Sequence, residues 1–215
     1  MATLLVKVEK AVSPERLSPY RKVCGGDLAA AVELYEWNAA VSAALWLDIG
    51  HLEILVRNAM HHQLTTFSVR MYGEPRWYLN PGGQLQPAAQ TDIAMTYTRL
   101  ARAGKPADPG RVVAELSFGF WRYLTASSYD RVLWKPVLSH GFAGQPRRRP
   151  LYDRLARLHL LRNRLAHHEP VHRQQLARLH GDLLTVIEWI DPALRGWVEQ
   201  ESKTQAALAT RPRHR

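Results

Sequence analysis

The chain has 215 residues, 46% of them apolar, and its 29 Lys and Arg against 19 Asp and Glu leave a formal charge of +10. That share of apolar side chain excludes a disordered polycation, because burying it can offset the entropy of ordering a domain of this length. A single cysteine, Cys24, excludes an intramolecular disulfide framework and a cysteine-based zinc finger, and it fits a reducing cytoplasm.

Residues 1–12 read as an N-terminal arm in which Leu4, Val6 and Val8 alternate, a pattern that predicts a short extended segment. Ser13-Pro14-Glu15 supplies an N-cap, a proline at the first helical position and an acidic first turn. Gly25-Gly26 ends that helix and Asp27 caps the next. From Leu28 the residues Leu34, Trp37, Val41, Ala44 and Leu45 recur at three- and four-residue spacing, and the pattern continues to about Met71. It predicts one long helix, or two if Gly50 breaks it. Asp48, His51 and Glu53 interrupt its most apolar stretch, so no membrane span and no membrane partner are expected. An irregular loop follows from Gly73 to Pro87, then helices over 88–102, 111–125 and 129–138. A basic loop, Gln145–Pro150, precedes a helix over 151–168 with Leu151, Leu155, Leu158, Leu161 and Leu165 on one stripe, which Pro170 stops. Helices from Val171 to Ile190 and from Asp191 onward lead to a basic tail at 207–215. The expected architecture is all-α: a bundle of roughly eight helices over 13–206 between the arm and the tail.

Two of these helices carry the same constellation. Leu55-Val56-Arg57-Asn58 is followed by His62, and Leu160-Leu161-Arg162-Asn163 by His167 and His168. In each, two apolar residues precede Arg-Asn and a histidine stands five positions after the arginine. Such a set suits phosphoryl transfer without a metal. Histidine titrates near neutral pH and can take or give a proton. Arginine stays charged and matches phosphate oxygens with a fork of donors, and an amide beside it can orient an imidazole. Arg162, Asn163, His167 and His168 are therefore the candidate catalytic set, with Glu53, Arg57, Asn58 and His62 as a second half-site. The basic residues Arg147, Arg148, Arg149 and Arg164 are candidate RNA contacts.

The run Leu161-Arg162-Asn163-Arg164-Leu165-Ala166-His167-His168-Glu169-Pro170-Val171 resembles the C-terminal signature of the Abi-like (AbiD/AbiF) abortive-infection proteins. Leu34-Tyr35-Glu36-Trp37-Asn38, Glu53-Ile54-Leu55-Val56-Arg57-Asn58 and Leu116-Ser117-Phe118-Gly119-Phe120-Trp121 resemble other blocks of that family in the same order, over roughly residues 14–190. Those proteins belong to the HEPN superfamily of helical domains, whose active members are metal-independent ribonucleases carrying arginine and histidine four to six residues apart. The resemblance implies a HEPN-like fold and an RNA endonuclease of phage defence or of a toxin–antitoxin pair. It also implies a homodimer that shares two motifs at one site, and an antitoxin that is a noncoding RNA or a protein. The expected partner is RNA, no cofactor is called for, and products carry 2′,3′-cyclic phosphates. The alternative is a HEPN module that binds RNA without cutting it.

Several signals compete. His168-Glu169-Pro170-Val171-His172 matches the H-E-x-x-H pattern of zinc proteases, but Pro170 should prevent the continuous helix that such a site needs. Glu53 is placed either to pair with Arg57 one turn on, or to position Arg57 or Arg162 across the bundle. Trp37, Trp46, Trp121, Trp134 and Trp189 read as core, whereas Trp77-Tyr78 either packs on the bundle or stacks on bases.

Overall fold

The computed structural model describes residues 2–144 and 146–213, and all the regular elements among them are helical. In chain order they are α1 (Ala2–Val12), α2 (Pro14–Val23), α3 (Leu28–Tyr72), α4 (Pro87–Arg102), α5 (Pro109–Glu115), α6 (Phe118–Tyr123), α7 (Arg148–Ala166), α8 (Leu176–Ile190), α9 (Pro192–Glu201) and α10 (Thr204–Ala209). Short 3-10 and π turns lie between α3 and α4 and between α6 and α7.

The spine is α3, 45 residues without a break, which at 1.5 Å per residue is roughly 67 Å long. Asp27 caps it, accepting from the amides of Ala29 and Ala30, and Gly73 ends it in the left-handed conformation. Gly50 does not interrupt it. Leu34, Val41, Leu45, Leu52, Val56, Met60 and Leu64 run down its buried side, and α2, α6, α7, α8 and α10 pack against it. The leucine stripe of α7 meets this core, with Leu151, Leu155 and Leu158 fully buried; truncating one of them to alanine should cost about 2–5 kcal/mol.

One 18-residue stretch of α3 reaches a mean hydropathy of 1.5, apolar enough by length and composition to cross a membrane, contrary to the expectation from its charged residues. In this fold the stretch holds a polar knot. Asp48 is buried, and its Oδ2 accepts from Ser202 Oγ at 2.7 Å and Thr204 Oγ1 at 2.6 Å, with His180 Nε2 at 3.3 Å. Burial alone would raise this carboxyl, but the hydrogen bonds from His180, Thr204 and Ser202 hold it below the ordinary range. The knot ties α8 and the α9–α10 turn to the spine.

Several expectations are corrected. The N-terminal arm is helical, not extended: Leu5, Val8 and Val12 face inward at helical spacing, while Leu4 and Val6 stay exposed. The alternation that predicted a strand used one inward residue and two outward ones. The bundle has ten α-helices among the described residues rather than about eight. One cause is Ser117, whose Oγ accepts from the Phe120 amide and starts a new helix, so that Phe118, Phe120 and Trp121 can all be buried. The segment 129–138 forms 3-10 and π turns instead of an α-helix, with the Lys135 amide reaching back five residues to Asp130. Residues 171–175 precede α8 as a loop, because Asn38 Oδ1 captures the amides of Val171 and His172. The start of the basic tail belongs to the fold: Trp37 Nε1 donates to the Ala207 carbonyl, and Arg211 lies over the Trp37 ring. His214 and Arg215 of that tail lie outside the described residues, as does Gln145.

Candidate functional site

The last turn of α7 carries the signature residues, and its backbone decides where they point. The helix ends at Ala166 with His167 as C-cap, and His168 adopts the left-handed conformation at φ 53°. The His168 amide donates to the Leu165 carbonyl and the Glu169 amide to the Arg164 carbonyl, the paired bonds of a Schellman motif. Pro170 follows, and Arg16 of α2 donates a side-chain hydrogen bond to the His168 carbonyl, pinning the turn. The zinc-protease pattern is not assembled: His168 is exposed on this turn, whereas His172 is buried in the following loop.

Arg162 points the other way, toward α3. Its Nε donates to Glu53 Oε1 at 2.9 Å, and its guanidinium sits 5.5 Å from the centroid of the Trp46 ring. Glu53 thus reaches across the bundle and makes no ion pair with Arg57. Arg57 has no carboxylate partner among the described residues; its Nε donates to Asn58 Oδ1 at 3.2 Å. Glu53, Arg57 and Arg162, together with Arg99, Glu115, Ser117, Phe118 and Trp121, line a cleft of about 370 Å3. The terminal nitrogens of both Arg57 and Arg162 make no hydrogen bond among the described residues. Two guanidinium forks therefore open on one cleft, one of them held in place by a carboxylate. That is a donor set suited to a phosphate group.

The histidines are not in that cleft. Five residues separate Arg162 from His167, about 140° around a helix, and His167 is exposed at the cap, outside the cleft lining. His168 lines a second groove, with Trp46 and Arg16. Asn163 is half-buried on α7, while Asn58 and His62 are exposed on α3. Of the candidate half-site at 53–62, Glu53 and Arg57 join Arg162, and His62 does not. Arg164 pairs with Glu169 at 3.2 Å and lines a further groove with Arg157, Arg173 and Arg178.

The basic run before α7 divides. Arg148 is tied to the bundle through Asp130 at 3.4 Å and the Thr125 carbonyl at 2.8 Å, which makes it structural. Arg147 and Arg149 are exposed. Trp77 and Tyr78 are buried, so they pack on the bundle and offer no face to a base. Trp46 corrects the reading of the tryptophans as core: it is 45% exposed beside Arg162.

Some residues at the site escaped the sequence. Arg99 and Ser117 enter the cleft from the elements around it. His159, one turn before Arg162, packs against Phe118, and burial together with Arg122 and Arg162 pushes its imidazole below its ordinary value. Its spacing to Arg162 was a visible signal; the contacts of Arg99 and Ser117 were not. No protein-family model, curated protein or solved structure matches the chain.

Proposed function

We propose that the protein is a metal-independent RNA endonuclease of the HEPN type, cytoplasmic, and acting in phage defence or as a toxin. The observation that carries the reading is the arginine pair: Arg162, fixed by Glu53, and Arg57 present free donors to one cleft. In this reaction the substrate 2′-oxygen attacks its neighbouring phosphorus and the bond to the 5′-oxygen breaks. A base removes the 2′-hydroxyl proton and an acid protonates the leaving 5′-oxygen. The guanidinium groups stabilise the charge that builds on the phosphoryl oxygens, and His167 or His168 carries the protons. The products are a 2′,3′-cyclic phosphate and a 5′-hydroxyl. Because Arg162 and His167 diverge around α7, the reading uses a homodimer in which a histidine of a second copy faces the arginine cleft. Control by a noncoding RNA or a protein antitoxin belongs to the same reading.

The test is cleavage of a mixed RNA pool in excess chelator. Wild type should yield cyclic-phosphate ends, and Arg162→Ala should fall by about a hundredfold or more. The histidine variant is His167→Ala with His168→Gly, since glycine keeps the left-handed turn that alanine would strain. Its expected activity is nil; undiminished cleavage would remove both histidines from the mechanism. The position of His167 outside the cleft favours one second reading, an RNA-binding module without chemistry. Tight RNA binding by wild type with no cleavage of any RNA would select it.

A further inference from the structure

Beside the arginine cleft lies a larger groove, about 710 Å3, between α2, α3 and the end of α7. Its volume is in the range of small-ligand pockets. Ala39, Ala43, Trp46, Leu165 and Ala166 form an apolar floor, with Arg16 and Glu169 among the polar groups at its edges. Trp46 leaves 45% of its surface open, a large cost in exposed apolar area for a residue of this size unless something covers it.

Asn38 gives a second and independent observation. It is 7% exposed, and it lines this groove. Its Oδ1 is used twice, by the Val171 and His172 amides at 2.8 and 3.0 Å, which fixes the orientation of the amide. The Nδ2 group makes no hydrogen bond among the described residues. Asn38, a residue more than nine-tenths buried, thus holds a donor rigidly with no protein acceptor, on a groove whose remaining floor is apolar. A fixed donor that no protein group accepts favours an occupant that carries an acceptor.

We infer that this groove binds a nucleobase of a single-stranded RNA, stacked on Trp46 and read by the amide of Asn38. The inference rests on the proposed reading of the arginine cleft as a phosphate site. Arg162 joins the two, since it lines the cleft and lies against Trp46. Trp46 and Arg57 are eleven residues apart on one helix, roughly 16 Å, so cleft and groove follow one another along the α3–α7 seam. A planar ring with acceptors on its edge matches an indole face and a lone amide donor, and Arg16 in the groove lining and Arg162 beside Trp46 match the flanking phosphates. An apolar peptide side chain would leave the Asn38 donor unmet and gain nothing from either arginine.

The test is equilibrium binding of two fluorescein-labelled strands of equal length and charge, a 2′-O-methyl RNA pentamer, which the proposed reaction cannot cut, and its fully abasic counterpart. Arg162→Ala is measured alongside, and the oligomeric state of each protein is followed by sedimentation. Trp46→Ala removes the stacking face, and Ala43→Phe fills the groove while keeping that face; both positions are exposed. Wild type should prefer the intact strand by about tenfold. Each groove variant should lose that preference, and Ala43→Phe should do so with abasic binding unchanged, whereas Arg162→Ala should weaken both strands alike. If the groove variants keep the wild-type preference, the groove takes no base and the inference fails, while the phosphate cleft stands. If they convert a dimer to a monomer with the preference intact, a second copy occupies the groove and the inference also fails. If wild type binds neither strand, the nuclease reading falls and the inference with it.

Discussion

At the scale of single residues, Glu53 illustrates how one carboxylate is placed for a purpose other than stability. It has Arg57 one turn away on its own helix, yet it pairs with Arg162 across the bundle. Both partners are partly exposed, 28% for Glu53 and 35% for Arg162, and such pairs contribute at most about 1 kcal/mol. What the contact does supply is direction, because a guanidinium held at Nε keeps its terminal nitrogens toward the cleft. Glu53→Gln should therefore leave urea-unfolding stability within about 1 kcal/mol of wild type and reduce RNA cleavage about tenfold or more through misplacement of Arg162. Loss of stability in proportion to loss of activity would show that Glu53 is merely structural. The sequence alone allowed both an intrahelical and a cross-bundle partner for Glu53, since spacing records only the first.

At the scale of elements, the end of α7 and the loop after it form a unit pinned from two sides. Arg16 holds the His168 carbonyl, and Asn38 holds the next two free amides at Val171 and His172. The loop carries His172 into the core, 1% exposed and 4.7 Å from the Tyr20 ring, with neither ring nitrogen hydrogen-bonded. Burial, with Arg173 and Arg211 nearby, pushes this imidazole below its ordinary value, and burial raises the Tyr20 hydroxyl to about 12. An imidazole with a lowered folded pKa contributes fully above the unfolded value of about 6.5, and its contribution is lost as pH falls toward the folded value. His61 and His159 are shifted the same way, burial being the first cause in each. Unfolding free energy should thus decline from pH 7 to pH 5, and His172→Phe should make that decline shallower. Equal slopes in urea titrations of the two proteins would exclude His172 as a contributor.

At the scale of the whole molecule, the charge of +10 is only partly available to a ligand. Arg21, Arg76, Arg148 and Arg195 are tied to carboxylates, but Arg16 and Arg57 have none among the described residues. If Arg16, Arg57 and Arg162 contact phosphates of a single strand, log affinity should fall against log salt with a slope near −2, about a twentyfold loss from 50 to 200 mM. Fluorescence anisotropy at four or five salt concentrations measures the slope directly. A flat salt response would disconnect the seam between α3 and α7 from any polyanion.

The sequence by itself determined the helical class, the leucine stripe of α7, the caps at Ser13 and Asp27 and the stop near Pro170, because periodicity and capping are local properties of the chain. It also marked Arg57 and Arg162 as a pair. Only the tertiary structure decided that these two arginines share a cleft while His62 and His167 lie outside it. Only there did Trp46 turn outward, Asn38 become a buried amide with a spare donor, and residues 2–12 fold as a helix. The reason is physical: those outcomes depend on which faces meet across more than a hundred residues of chain, as Glu53 meets Arg162 and Asn38 meets Val171. No local spacing encodes them.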